Sequence, residues 1–196
     1  TPKTSRLDGV LPVDAKSVSF LTLSDVKLYL DALDTYRYGA GKAERVRKRK
    51  QEFARLFGEK SEAEWQNLLK GEWGKGVLAY DASRKKDDGV IVVHVKAGSL
   101  AKELLDRMLK SYAAKTGVGD GSLKCTFQLD KDKTVGYFKM PVPDFAGVMW
   151  GYMFDDIATN YVLVEDNYVV FASSERAIQS FAKDYMRRLS VRDQEW

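Results

Sequence analysis

The side chains that most often carry out chemistry in proteins are scarce in this sequence. It contains one histidine, His94, and one cysteine, Cys125. A transition-metal site needs several converging His, Cys or carboxylate ligands, and the C-x-x-C, H-E-x-x-H and EF-hand patterns are all absent. We therefore expect neither a bound metal nor a cofactor.

The histidine and the cysteine each fit a structural role. His94 belongs to the β-rich run 90–95, on the face that it shares with Val92, and no serine, cysteine or aspartate motif accompanies it. Cys125 alternates with polar residues on the apolar side of a predicted strand, which is typical of an inert core thiol. With a single cysteine, no intrachain disulfide can form.

The motifs of nucleophilic and phosphate chemistry are missing as well. There is no G-x-S-x-G sequence, and the glycine clusters at 39–43 and 71–76 lack the spacing of a phosphate-binding loop. We predict that the protein is not an enzyme. The surviving alternative is an acid–base site built from adjacent acids, although such pairs in turns are usually solvated; the pairs are Asp87-Asp88, Asp155-Asp156 and Glu165-Asp166.

The most distinctive feature is a basic segment. Residues 37–55 contain eight Lys or Arg residues against two Glu, a local charge of +6, whereas the whole chain carries +4. Such a cluster can contact nucleic-acid phosphates or anionic lipid head groups. The candidate anion or membrane contacts are Arg45, Arg47, Lys48, Arg49 and Lys50.

The solvated side of an amphipathic helix is an alternative explanation of this segment, and we favour it. The predicted helix 42–57 also carries an apolar stripe, formed by Val46, Phe53, Ala54 and Phe57. We do not expect nucleic acid to be a partner. If nucleic acid were bound, Tyr36, Tyr38 or Phe53 would be the stacking residues.

A second unusual stretch is the aromatic run 145–154. It could form a surface for a protein partner, with Phe145, Met149, Trp150 and Tyr152 as the candidate contacts. A buried helix is the explanation that we favour for the same pattern.

Helices and hairpins alternate along the rest of the chain. A β-like run at 17–23 precedes a helix that Ser24 can cap, and a capping box of Ser61 and Glu64 precedes a short helix. Further helices are predicted after Ser99 and after Ser174. Three hairpins are predicted from paired β-rich runs, at 77–81 with 90–95, 123–129 with 135–140, and 161–165 with 168–173.

Hairpins joined by helices predict an α+β fold. We expect an antiparallel sheet built from about three hairpins plus an N-terminal strand, with helices packed mainly on one face. Residues 1–16 are predicted to be an extended lead-in, and residues 17–196 a single domain. Because the chain begins with Thr1 rather than Met, the domain could be a fragment of a longer protein.

Four stretches of the sequence resemble an uncharacterised family of bacterial proteins anchored in the cell envelope. They are 10-VLPVDAKSVSFLTLSDVKLYLDAL-33, 89-GVIVVHVKAGSLAKELLDRML-109, 135-VGYFKM-140 and 161-YVLVEDNYVVFASSERAIQSF-181. The resemblance implies a location in the periplasm or at the cell surface, a signal peptide or membrane helix upstream of Thr1, and no known activity.

Together these patterns favour a non-enzymatic, extracytoplasmic domain that acts as an interaction or scaffold module. Its expected partner is a protein or another envelope component, with a membrane surface as a further candidate. The alternative is a nucleic-acid-binding module that uses the basic helix 42–57.

Overall fold

Seven strands and six helices make up the part of the chain that the computed structural model describes, residues 5–83 and 85–194. The strands are β1 (Ser17–Thr22), β2 (Leu69–Asp81), β3 (Lys86–Val95), β4 (Lys124–Gln128), β5 (Thr134–Lys139), β6 (Tyr161–Glu165) and β7 (Tyr168–Ala172). The helices are α1 (Val26–Gly39), α2 (Ala43–Phe57), α3 (Ser61–Leu68), α4 (Gly98–Thr116), α5 (Phe145–Trp150) and α6 (Glu175–Met186).

All seven strands belong to one antiparallel sheet with the order β1-β2-β3-β7-β6-β5-β4. The three predicted hairpins are present as β2–β3, β4–β5 and β6–β7. Three further antiparallel pairings, β1–β2, β3–β7 and β5–β6, join strands that are separated by helices in the sequence. The predicted α+β fold is therefore confirmed.

Helices cover the two faces of the sheet unequally. Helices α1 to α5 pack on one face, where the larger hydrophobic core contains Ile91, Val93 and Val95 of β3. On the opposite face, Val90 and Val92 contact the core that α6 helps to form. The helices thus lie mainly on one face, as predicted. Because residues 90–93 of β3 are buried on both sides, this stretch is apolar without alternation.

The second face is completed by the N-terminal segment. Residues 5–16 differ from the extended lead-in that we expected: Leu7–Gly9 is a 3-10 turn, and Leu7 and Leu11 are fully buried in the second core. The carbonyl oxygen of Leu11 accepts a hydrogen bond from the backbone of Val191, which fixes this segment near the C-terminal end of the described chain. The segment folds back because α6 alone leaves part of the apolar sheet face uncovered.

The helix starts agree only partly with the predicted caps. Ser174 caps α6 as predicted, since its hydroxyl accepts a hydrogen bond from the Ala177 amide. Helix α1 is capped by Asp25 instead of Ser24. Ser61 does not form the predicted capping box; its hydroxyl donates to the Gly58 carbonyl at 2.8 Å.

An aromatic cluster fills the larger core. The Trp65 and Trp150 rings lie 5.7 Å apart between centroids, and Phe145 lies 5.6 Å from Trp150 and 5.7 Å from Phe171 of β7. The candidate partner surface is therefore wrong for three of its four residues, because Phe145, Met149 and Trp150 are exposed by 1%, 5% and 0%. They fill the space between the sheet and α2, and only Tyr152 remains exposed, at 71%.

The turn between β6 and β7 packs closely on the start of α4. A Cβ atom at Gly98 would overlap the carbonyl oxygen of Asp166. We expect Gly98→Ala to lower the free energy of unfolding by about 1–3 kcal/mol, because backbone atoms would have to move apart. The matched control is Gly136→Ala, where nothing lies within 4 Å of the added methyl group. Denaturant unfolding tests this packing, and equal stability of the two variants would contradict it.

Candidate functional site

The five candidate cations of α2 do not form one continuous surface. Arg45 and Arg49, one helical turn apart, line a cavity of about 360 Å³ between α1, α2 and α5. Arg47 and Lys50 line a neighbouring groove, which shares Arg37 and Val46 with that cavity. Lys48 is exposed, 3.7 Å from Glu44. The helix therefore presents its charges in several directions.

Local ion pairs neutralise much of the basic segment. Arg47 donates to both oxygens of Glu44, at 2.9 and 2.7 Å, and Arg55 does the same to Glu52. Lys50 donates to Glu62 at 2.7 Å. Exposed pairs of this kind contribute little to stability. They do reduce the field that a distant phosphate or membrane would feel, so the net charge of the segment overstates its free charge.

The cavity between α1, α2 and α5 keeps an excess of positive charge, and we call it the basic pocket. Four cations and two carboxylates line it together with apolar and aromatic side chains: Arg37, Lys42, Arg45 and Arg49; Asp144 and Asp155; Leu33, Val46 and Val148; Tyr36 and Tyr152. Lys42 and Arg45 form no ion pair and no side-chain hydrogen bond with the residues that the structure describes. The pocket thus holds two cations that are available to a ligand.

Arg37 is the buried cation of the basic pocket. It is 6% exposed, and its Nη2 donates to the carbonyl oxygens of Gly147 and Val148, both at 2.9 Å. Its Nη1 lies 3.7 Å from Asp34 and has no hydrogen-bond acceptor among the described residues. Burial lowers the pKa of Arg37, although a guanidinium stays charged in proteins. Arg37 thus joins α1 to α5 and brings a fixed charge to the pocket.

Arg37 lies within the basic segment 37–55, but it was not among the predicted site residues. A signal was present, since Leu30, Leu33 and Arg37 follow one another at spacings of three and four residues. This spacing continues the apolar stripe of α1 and places Arg37 on its buried face.

Arg49 and Asp144 form the wall of the basic pocket. The guanidinium donates from Nε and Nη2 to the two carboxylate oxygens, at 2.8 and 2.7 Å, and lies 5.0 Å from the ring centre of Phe53. The hydrogen bonds that Arg49 donates to Asp144 raise the pKa of its guanidinium. This bidentate pair fixes both side chains, so Arg49 is held in place and is less available to a ligand than Arg45.

Asp155 is the second carboxylate of the basic pocket, and it has a different environment. Partial burial raises the pKa of Asp155, while the charges of Arg37 and Arg45 oppose that shift. Its Oδ1 packs against Gly147, where a Cβ atom would overlap it. Within the described part of the chain, this carboxylate accepts no hydrogen bond. A ligand with hydrogen-bond donors could supply them.

The adjacent acid pairs of the sequence do not act as pairs. Asp156 accepts a hydrogen bond from Lys75 at 2.6 Å, whereas its neighbour Asp155 lines the basic pocket. Asp88 binds the start of α6, and the carboxylate of Asp166 accepts from the hydroxyl of Tyr185 at 2.5 Å. Each of these carboxylates thus has its own surroundings. No two of them share one site, as the alternative of an acid–base pair would require.

A second polar cluster surrounds Asp88, in a cavity of about 380 Å³. Ser173 and Ser174 donate to Oδ1 of Asp88 at 2.6 and 2.7 Å, and Arg176 donates to Oδ2 at 2.5 Å. The Ser173 hydroxyl also accepts from the Gly89 amide at 2.9 Å. Because these groups satisfy one another, the cluster fixes α6 to β3 and offers fewer free groups than the basic pocket.

The single histidine and cysteine lie outside both polar clusters. His94 stacks on Tyr168 with ring centroids 5.0 Å apart, and its Nδ1 is buried without a hydrogen-bond partner among the described residues. Burial lowers the pKa of His94. Cys125 is partly buried against the second core, and burial raises the pKa of its thiol. Neither environment activates the side chain for nucleophilic attack.

Two further kinds of functional feature are absent from the described residues. No group of three or more His, Cys, Asp or Glu side chains is placed to hold a metal ion. In the same part of the chain, no helix is both long and apolar enough to cross a membrane.

No protein-family model, curated protein or solved structure matches the chain. The basic pocket therefore offers the main structural clue to function.

The hydrogen bonds of Arg37 can be tested through stability. We expect Arg37→Met to lower the free energy of unfolding by about 1–3 kcal/mol, because the Gly147 and Val148 carbonyls lose a charged donor. In the matched control Arg45→Met, no described hydrogen bond is lost, so the change should stay within about 0.5 kcal/mol. Urea titration measures both variants. If Arg37→Met were as stable as the unmodified protein, the Gly147 and Val148 carbonyls would not need this donor.

The polar cluster at Asp88 predicts a dependence of stability on pH. Burial alone would raise the pKa of Asp88, but hydrogen bonds from Arg176, Ser173 and Ser174 outweigh burial and hold it below its ordinary value of 3.8. A lowered pKa stabilises the folded state at pH values above 3.8, and this contribution disappears as the pH falls through the folded-state pKa. Asp88→Asn should therefore be less stable than the unmodified protein at neutral pH.

The stability difference between Asp88→Asn and the unmodified protein should narrow as the solution is acidified below pH 3.8. Urea unfolding at a series of pH values measures it. Asp132→Asn, at an exposed carboxylate in the β4–β5 turn, is the control and should show no such narrowing. A constant difference for Asp88→Asn would contradict the prediction.

Proposed function

We propose that this chain is a non-enzymatic binding domain of a bacterial cell-envelope protein, and that its basic pocket takes an anionic group. The observation that carries the proposal is the pair of cations Lys42 and Arg45, which line the pocket and have no counterion within hydrogen-bond distance in the described chain. Charged side chains that stabilise the fold are usually paired, as Arg49 is with Asp144.

Lys42 and Arg45 are exposed, and apolar side chains lie beside them. Leu33, Val46 and Val148 form apolar walls, which reduce the local dielectric constant and strengthen electrostatic attraction. The buried guanidinium of Arg37 lost its hydration when the protein folded and has carbonyl groups as its hydrogen-bond partners. An anion in the pocket would offset part of this desolvation cost.

The composition of the basic pocket supports binding rather than catalysis. Its described lining provides cations, carboxylates, tyrosines and apolar groups, and it contains no serine, cysteine or histidine, which are the commonest nucleophiles and general bases. Asp144 is engaged by Arg49 through two hydrogen bonds. The lining therefore supplies recognition groups for a charged ligand.

A single anionic group fits this geometry better than a nucleic-acid backbone does. Tracking a backbone requires cations spread along one surface, whereas α2 directs Arg45 into the pocket and Arg47 into a different groove. The envelope location in the proposal is supported by the resemblance of the four sequence stretches to envelope-anchored proteins. The expected role as an interaction module then corresponds to recognition of an anionic partner or envelope component.

Titration with inorganic phosphate tests the anion pocket. At constant ionic strength, we expect saturable binding by the purified chain, followed by calorimetry or by NMR shifts of the α1–α2 connection. Arg45→Gln should weaken the affinity about tenfold, since a hydrogen bond to a charged group contributes about 1.5–3 kcal/mol.

The control is Arg47→Gln, which removes the same kind of side chain two residues away, outside the basic pocket. It should change the phosphate affinity less than about twofold, as expected for a screened exposed charge. Equal losses in the two variants would indicate general charge attraction and would overturn the proposal, as would the absence of saturable binding.

A further inference from the structure

Two exposed tyrosines stand at the mouth of the basic pocket. The side chains of Tyr36 and Tyr152 are exposed by 55% and 71%, and their ring centroids are 6.3 Å apart with planes inclined at 42°. Tyr36 lies near the end of α1, and Tyr152 begins the 3-10 turn Tyr152–Phe154 that follows α5. Adjacent exposed aromatic rings offer an apolar face on which a flat ligand group can stack.

The carboxylate of Asp155 limits what kind of anion fits beside these tyrosines. A simple anion satisfies Lys42 and Arg45 but is repelled by Asp155. A ligand that also carries hydroxyl groups can donate to this carboxylate, which accepts no hydrogen bond within the described chain. The lining therefore complements a negative group and hydrogen-bond donors in one molecule.

We infer that the ligand of the basic pocket is an acidic sugar, a hydroxylated ring that bears a carboxylate or phosphate group. This inference rests on the proposed function. The negative group lies against Lys42 and Arg45, a ring hydroxyl donates to Asp155, and the apolar face of the ring stacks on Tyr36 and Tyr152. A cavity of about 360 Å³ is within the range of small-molecule sites.

The arrangement of the two tyrosines favours a sugar over a nucleotide. Their inclined rings contact each other and form one wall, whereas a base is held best between two parallel surfaces or on a flat one. A mononucleotide nevertheless offers a phosphate, hydroxyl groups and a ring, so it is the sharpest competitor for the experiment.

The test is calorimetric titration of the purified chain with six probes: glucuronate, glucose 6-phosphate, glucose, acetate, inorganic phosphate and AMP. We expect each acidic sugar to bind about tenfold tighter than its simple anion, acetate or phosphate, and tighter than glucose. Comparing glucuronate with glucose 6-phosphate shows whether the pocket prefers a carboxylate or a phosphate as the negative group of the ligand. A seventh probe, a uronate tetrasaccharide, shows whether the pocket prefers a free sugar or a polysaccharide, and a preference for either supports the inference.

Three variants connect the preference to the residues that we assign. Tyr152→Ala should weaken the sugar acids about threefold to tenfold, the contribution of one aromatic contact, with little change for phosphate. Tyr38→Ala is the control. Like Tyr36, Tyr38 lies near the end of α1, but it is 81% exposed and lines the groove that contains Arg47 and Lys50 instead of the basic pocket. Asp155→Asn should strengthen the binding of phosphate while reducing the advantage of the acidic sugars over it.

The outcomes separate this inference from the proposed function. If phosphate binds in an Arg45-dependent manner but glucuronate and glucose 6-phosphate gain nothing over acetate and phosphate, the sugar inference is overturned and the anion pocket stands. The same holds if AMP binds tighter than both acidic sugars. If none of the anions binds, both proposals fail.

Discussion

The pairing of β3 with β7 is the interaction on which the rest of the structure depends. Five residue pairs, from Val90 with Ala172 to His94 with Tyr168, join the hairpin β2–β3 to the hairpin β6–β7 at the centre of the sheet. The two strands are distant in sequence, and their apolar residues point to both faces. Both faces must consequently be covered before this pairing is stable. Helices α1 to α5 cover one face, and α6 with the N-terminal turn covers the other.

Covering the larger face explains how a charged pocket arises beside an aromatic core. The short helix α5 places Phe145 and Trp150 in the core, and α1 holds it through the hydroxyl of Tyr29, which donates to the Trp150 carbonyl at 3.0 Å, and through Arg37. Arg37 occupies a buried position on α1 and directs its donors to backbone oxygens of α5. The position of α5 thus requires a cation near the surface of the core. Lys42, just before α2, and Arg45, in its first turn, lie around this cation.

The sequence carried enough information for the hairpins and most helices, but not for the elements that depend on long-range packing. Asp166 and Asn167 form the turn of the predicted hairpin β6–β7, and Ser174 caps α6, because both features are determined by neighbouring residues. The burial of Leu7 and Leu11 depends on an uncovered sheet face formed far away in the chain. In the same way, the charge count of residues 37–55 could not tell that Arg45 faces a pocket while Arg47 pairs with Glu44.

The difference between Arg49 and Arg45 is the observation on which the proposed anion pocket rests. Both arginines lie on the same side of α2, and each has a carboxylate nearby, Asp144 for Arg49 and Asp155 for Arg45. Arg49 closes on Asp144 with two short hydrogen bonds, as expected for a structural ion pair. Arg45 and Asp155 make no such contact. Donors and an acceptor therefore remain separate across one cavity, which is the arrangement that a ligand with both a negative group and hydroxyl groups would complete.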